Sequence, residues 1–134
     1  MRVAYFLRES DAVVCARAWF GWAAEGPPGH AHGGSILTVL DEVMGMATWC
    51  AGYLAIAASV TAHFRKKIPL GTDTTVEARV CRTERRKIYT QAALCDLRGK
   101  SLFAEAEGLY VMQDIERFGG DKTLRKVLQE QQKK

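Results

Sequence analysis

A chain of 134 residues with 48% hydrophobic side chains has the length of one domain and enough apolar matter to close a core, which excludes a disordered protein. The formal charge of +4 is localised: residues 119–134, GGDKTLRKVLQEQQKK, hold five basic and two acidic side chains, and the rest of the chain is close to neutral. A nucleic-acid surface is a poor reading of that distribution, and Trp19, Phe20 and Trp22 lack the basic neighbours of a base-stacking platform.

Acidic residues in the N-terminal stretch MRVAYFLRESDAVV break the apolar run a signal peptide needs. Asp41 and Glu42 interrupt the best candidate for a membrane span. A cytoplasmic protein without membrane contact is expected. Cys15, Cys50, Cys81 and Cys95 are widely spaced and form no C-x-x-C pair, so they are expected to be reduced, mostly buried thiols and neither zinc ligands nor a redox pair.

Taken in chain order, CARAWFGWAA (15–24) reads as a strand, stopped by the Gly-Pro-Pro-Gly of residues 26–29. From Ser35 to about Gly52 the pattern is helical. Four strand-like runs follow: AIAASVTAHF (55–64), TTVEARVCR (74–82), IYTQAALCDL (88–97) and SLFAEAEGLYVM (101–112). RKKIPLG, TERRK and RGK separate them, as turns separate consecutive antiparallel strands. The expected fold is α+β: a five-stranded antiparallel sheet wrapped around one central helix that is apolar on nearly every face. Residues 1–118 form this domain, and 119–134 a basic tail, exposed or partly helical. The uncovered sheet edges predict pairing with a second copy.

The stretch GPPGHAHGGSILTVLDEVMG (26–45) poses the chemical question. A helix start offers unpaired N–H groups and a partial positive charge, and glycines let another atom approach them. His32-Gly33-Gly34-Ser35 therefore suits an oxygen that is negative or becoming so; a tight turn alone would also use these glycines. On the helix, Thr38, Asp41, Gly45 and Thr48 share one narrow arc at 100° per residue, with Glu42 at its rim. A carboxylate there is costly unless paired, hydrogen-bonded or chemically used. Asp41 lies about 12 Å along the axis from Gly33 at 1.5 Å per residue. It cannot act on a group bound at its own helix entrance, so a shared reaction needs two chains with antiparallel helices.

The segment EGPPGHAHGGSILTVLDEVMG resembles the signature of the PaaI-type acyl-CoA thioesterases of the hotdog fold: His32-Gly33-Gly34, then Asp41 inside the long helix. HFRKKIPLG (63–71) is similar to the family segment that closes the strand after the helix. The resemblance implies hydrolysis of an acyl-CoA to free acid and coenzyme A by a homodimer with two composite sites, often paired again into a tetramer. It implies that the N–H of Gly33, alone or with that of Gly34, binds the thioester oxygen and that His32 orients the substrate. Asp41 of the other subunit would be general base or nucleophile. No cofactor is implied, because coenzyme A belongs to the substrate.

One position departs from the family pattern. Many relatives carry Ser or Thr at the start of the next strand to hold the attacking water, and counting back from HFRKKIP puts Ala57 there. Ser59, two residues on and expected on the same strand face, and Thr48 on the helix stripe are candidate substitutes. Among basic residues, Arg65, Lys66 and Lys67 are preferred over Arg82, Arg85, Arg86 and Lys87 as partners of the coenzyme A phosphates. His30, His32 and His63 could suggest a metal, but the missing local carboxylate argues against one. The competing readings are an acyl-CoA-binding hotdog protein without catalysis, which Ala57 keeps open, and a hotdog hydratase or dehydratase, which the spacing to Asp41 disfavours.

Overall fold

A computed structural model describes residues 1–8, 12–114 and 130; apart from Glu130, the expected tail lies outside these. In chain order come β1 (Arg2–Arg8), β2 (Val13–Trp19), a 3-10 turn (Trp22–Ala24), the helix α1 (Gly33–Cys50), β3 (Ala55–Phe64), β4 (Asp73–Glu84), β5 (Lys87–Asp96) and β6 (Leu102–Met112). The strands form one antiparallel sheet in the order β1-β2-β4-β5-β6-β3. This is the expected hotdog arrangement, one long helix held against an antiparallel sheet, with six strands instead of five.

Periodicity explains how the two layers meet. Ile36, Val39, Leu40, Val43, Met44 and Ala47 are the buried apolar positions of α1, the spacing of one helix face. They meet the inward alternation of the strands, including Ala16 and Ala18 on β2, Val76 and Ala78 on β4, Ala92 on β5, and Ala104 and Ala106 on β6. So many alanines on the inner face let the helix axis come close to the sheet. No helix among the described residues is long and apolar enough to cross a membrane.

The sixth strand is β1, whose Val3 and Tyr5 pack on the core from positions two apart. The expected strand 15–24 also changes: β2 begins at Val13 and ends at Trp19. A Cβ on Gly21 would lie 2.6 Å from the Trp19 ring, so this glycine lets the chain fold back over that ring and leave the sheet as a 3-10 turn. The other strands fall within a residue or two of expectation. The helix begins at Gly33, earlier than expected, because His32 caps it. Of the four thiols only Cys15 is buried; Cys95 is half-buried, while Cys50 and Cys81 are exposed, against the expectation of mostly buried cysteines.

A bulge in β3 has a larger consequence. Ala57 pairs with Tyr110, but Ser59 pairs with the adjacent residue Leu109, so Ala58 is an extra residue opposite β6. Facing residues share a side of the sheet, which puts Ala57 on the helix side with Tyr110 and Ser59 on the outer side with Leu109. Ala57 and Ser59 therefore do not share a face as the plain alternation implied.

Leu40 is 0% exposed at the middle of α1. Leu40→Ala is expected to lower unfolding free energy by ~2–5 kcal/mol, read as a drop in urea midpoint with an unchanged denaturant slope.

Candidate active site

The helix entrance is built by a loop tied at both ends. Glu25 and Ala31 form one bridge and His30 and Pro69 another, the Glu25 carboxylate accepts from the Gly29 N–H at 2.8 Å, and the His32 N–H donates to Ala24 O at 2.7 Å. His30 is occupied locally, its Nδ1 lying 2.9 Å from Pro28 O. The backbone arriving at α1 is thus fixed before the helix begins.

Of the four N–H groups at the start of α1, three have acceptors. Ser35 and Ile36 donate to His32 O at 3.0 and 3.1 Å, and Gly34 donates to His32 Nδ1 at 2.8 Å. Only the Gly33 N–H donates to nothing among the described residues. Gly34 was a candidate donor to a bound oxygen, but its amide is consumed by the cap. Its missing side chain has another use, since a Cβ there would lie 3.0 Å from His32 Nδ1. With Nδ1 accepting, a neutral His32 ring carries its proton on Nε2, a second donor at the exposed entrance. The Phe64 ring stands 3.6 Å from where a Gly33 Cβ would be and supplies an apolar wall beside the free amide.

The polar arc along α1 divides. Thr38 is exposed and its hydroxyl donates to Gly34 O at 2.8 Å. Thr48 is 0% exposed and donates to Gly45 O at 2.7 Å. A buried hydroxyl already bonded to its own helix is not presented to a ligand, so Thr48 does not serve as the substitute envisaged from sequence. Asp41, between them, is half-buried. Its Oδ1 accepts from the Tyr110 hydroxyl at 2.6 Å, and that hydroxyl also lies 2.9 Å from Asp41 O.

Tyr110 was not singled out in the sequence. It reads there as one aromatic in a strand, and only the register of β6 against α1 reveals its partner. Burial first, then the bond to Asp41 and the charge of Asp41, push its phenol well above the usual tyrosine range. Glu42 faces the other way. The buried hydroxyl of Tyr5 on β1 lies near its carboxylate without closing a well-formed hydrogen bond. Burial and then Glu42 push that phenol up as well. The two carboxylates thus turn to opposite margins of the sheet.

The remaining candidates separate just as clearly. Ala57 faces Tyr110 and offers no hydroxyl. Ser59 borders an outer-face groove with Thr61, Tyr89 and Glu107, so it cannot replace a hydroxyl beside Asp41. Arg65 is bonded to Glu105, at 2.5 Å from Nη2, while Lys66 and Lys67 are exposed and form no ion pair among the described residues. In the second basic cluster, Arg82 stacks 3.7 Å from the Tyr89 ring centroid and Arg86 donates to Met112 O at 2.8 Å. His63 points outward, 3.9 Å from Glu107, across the sheet from His32. Among the described residues, no three His, Cys, Asp or Glu groups come together as a metal site.

Residues 28–103 match the sequence model of the Thioesterase superfamily, over half of the chain and across the entrance, the helix and the strands β3 to β5. The chain belongs to the thioesterase superfamily. One relative is the acyl-coenzyme A thioesterase THEM4 of Mus musculus, 30% identical over 97 residues, covering 72% of this chain and 42% of THEM4. The chain thus spans less than half the length of that relative. Two solved structures share the fold. The smu.793 protein of Streptococcus mutans UA159, bound to acetyl CoA, has a TM-score of 0.76 at 18% identity and covers 84% of this chain and 90% of its own. The PaaI protein of E. coli, from the phenylacetic acid degradation operon, has a TM-score of 0.74 at 14% identity, with 84% and 80% covered. The PaaI-like resemblance read from the entrance and helix is therefore that of this superfamily.

Two expectations follow from the geometry. His32→Ala removes the cap and should cost ~1 kcal/mol of stability, whereas His32→Asn keeps a capping oxygen and should stay within ~0.5 kcal/mol of the parent; urea unfolding measures both. The raised phenols of Tyr5 and Tyr110 make the folded state hold protons that the unfolded state releases above the ordinary value of 10.0. Stability should be complete below that pH and fall as pH rises beyond it. Tyr110→Phe should flatten that fall when the urea midpoint is followed from about pH 8 to pH 11.

Proposed function

We propose that this chain hydrolyses acyl-CoA thioesters to a free carboxylic acid and coenzyme A, as a cytoplasmic homodimer with two composite sites. The observation that carries the reading is the accounting at the helix entrance, where one amide, that of Gly33, is left unspent beside the apolar wall of Phe64. A half-buried carboxylate follows eight residues later on the same helix. An N–H at a helix start, assisted by His32 Nε2–H, stabilises the negative oxygen that forms when a thioester carbonyl is attacked. The THEM4 name and the acetyl CoA of the smu.793 structure support coenzyme A thioesters as the substrate class.

In this mechanism Asp41 of the second subunit takes a proton from water, and the water oxygen bonds to the carbonyl carbon. The oxyanion rests on Gly33 and His32. Collapse breaks the C–S bond, and the thiolate of coenzyme A takes the proton held by Asp41, which returns to the carboxylate form. Direct attack by Asp41 through an anhydride is the other route; one turnover in ¹⁸O-labelled water puts the label into Asp41 only by that route.

The reach of about 12 Å between Gly33 and Asp41 is what requires a second chain. β3 lies at an edge of the sheet, and its exposed run Ile56–Ser59 carries no charge, unlike edges protected against pairing. Self-pairing there about a twofold axis is the proposed dimer contact, with a further pairing of dimers left to the oligomer measurement. Lys66 and Lys67 are the proposed partners of the coenzyme A phosphates; Arg65 is bound to Glu105 and serves the fold.

The test is release of free thiol from a panel of short, long and aromatic acyl-CoAs, with the mass in solution measured alongside. Turnover by a dimer is expected. Asp41→Asn should lower kcat by ~10²–10⁴-fold, and His32→Asn should lower it while leaving the urea midpoint in place. Tight binding without thiol release would instead favour the non-catalytic reading that Ala57 suggests. Undiminished turnover in Asp41→Asn would remove that residue from the mechanism.

A further inference from the structure

We propose that Tyr110 is the positioning residue of the Asp41 carboxylate, holding Oδ1 through its hydroxyl so that Oδ2 is the oxygen presented to the reaction. The inference rests on Asp41 being the working acid of the proposed hydrolysis. In the described structure Oδ1 has the Tyr110 hydroxyl at 2.6 Å, and Oδ2 has no hydrogen bond. A carboxylate on a helix turns freely about χ1 and χ2 unless something fixes it. Here one hydroxyl reaches both Oδ1 and the residue's own carbonyl, at 2.9 Å, so side chain and backbone are referred to a single point.

The phenol itself is held rigidly. Tyr110 is 2% exposed and sits on β6, which is paired on both sides, with β5 and β3. Its ring occupies a slot between two glycines. A Cβ on Gly108 would lie 2.7 Å from Cε2, too close to be tolerated, and one on Gly45 would lie 3.8 Å from Cε1. Gly108 in the strand thus leaves the room the ring needs, and Gly45 of the helix stands in ordinary contact with its other edge.

The same placement answers the departure at Ala57. The hydroxyl is absent from that position, Ser59 is carried to the outer face by the bulge, and Thr48 is spent on Gly45. The Cα partner of Ala57 across the ladder is Tyr110. Orientation is supplied to the carboxylate from the neighbouring strand, where sequence reasoning looks for a hydroxyl on β3.

The experiment is a kinetic double-mutant cycle on the full chain, using an acyl-CoA that the parent hydrolyses: parent, Tyr110→Phe, Asp41→Asn and the double variant. Tyr110→Phe should lower kcat by about 10- to 100-fold with KM within about twofold, and the double variant should be no slower than Asp41→Asn alone. A purely structural role would instead multiply the two losses, and that outcome overturns the proposal. So does a Tyr110→Phe variant with parental kcat while Asp41→Asn is impaired, a result that leaves the hydrolase reading intact. Parental kcat in Asp41→Asn overturns the assignment of Asp41 and this inference with it. If Tyr110→Phe does not fold, Gly108→Ala is made in a Thr90→Ala background, which clears the hydroxyl that a Gly108 Cβ would meet at 2.6 Å and leaves the ring as the group displaced: a kcat below that of Thr90→Ala alone at similar KM supports the proposal, and an equal kcat overturns it.

Discussion

The structure depends on how a carboxylate is kept inside a layer of apolar side chains. α1 buries Ile, Val, Leu and Met on its sheet side, and Asp41 sits half-buried at the edge of that stripe. Desolvating such a charge is unfavourable by several kcal/mol unless a donor meets it, and Tyr110 is that donor. The requirement spreads outward: the phenol needs a slot, the slot needs Gly108, and β6 must hold its register to keep the slot opposite the helix. Glu42, one residue on, is exposed and meets water beside the Tyr5 hydroxyl, so it makes no such demand.

The entrance of the helix obeys a complementary logic. A helix start has donors to spare, and most proteins satisfy them with a side chain and water. Here His32 contributes twice, its carbonyl taking the amides of Ser35 and Ile36 and its ring taking that of Gly34. One amide is left over, and it is the one against Phe64. The positive end of the helix is thereby focused on a single direction instead of being shared among several amides. The same histidine that quiets the second amide is set by that bond to offer a donor from its far side.

Much of this was legible in the residues. The apolar helix, the alternating strands after it and the spacing from His32-Gly33-Gly34 to Asp41 reflect local periodicity and capping chemistry, which sequence carries directly. β1 is legible too, in the alternation of Val3 and Tyr5, although two short apolar positions are a weak strand signal beside the acidic residues that follow. What escaped depends on contacts between distant elements. Tyr110 is 69 residues from Asp41, and nothing local marks an aromatic in a strand as the partner of a helix carboxylate. The bulge at Ala58 reverses the expected facing of Ser59, because one extra residue cancels the period of two on which face assignments rest. The burial of Thr48 follows from its place in the row Ile36, Leu40, Met44, each four residues from the next; which side of that row the sheet covers is a tertiary fact.

The two borders of the sheet are chemically unlike. β1 ends in Arg2 and Arg8, the latter bridged to Glu77, while the exposed run of β3 is uncharged. An antiparallel ribbon grown from both borders would have to bring arginines of one copy against those of the next. Strand addition is therefore opposed at the β1 border by like charge and meets no such charge along the exposed run of β3.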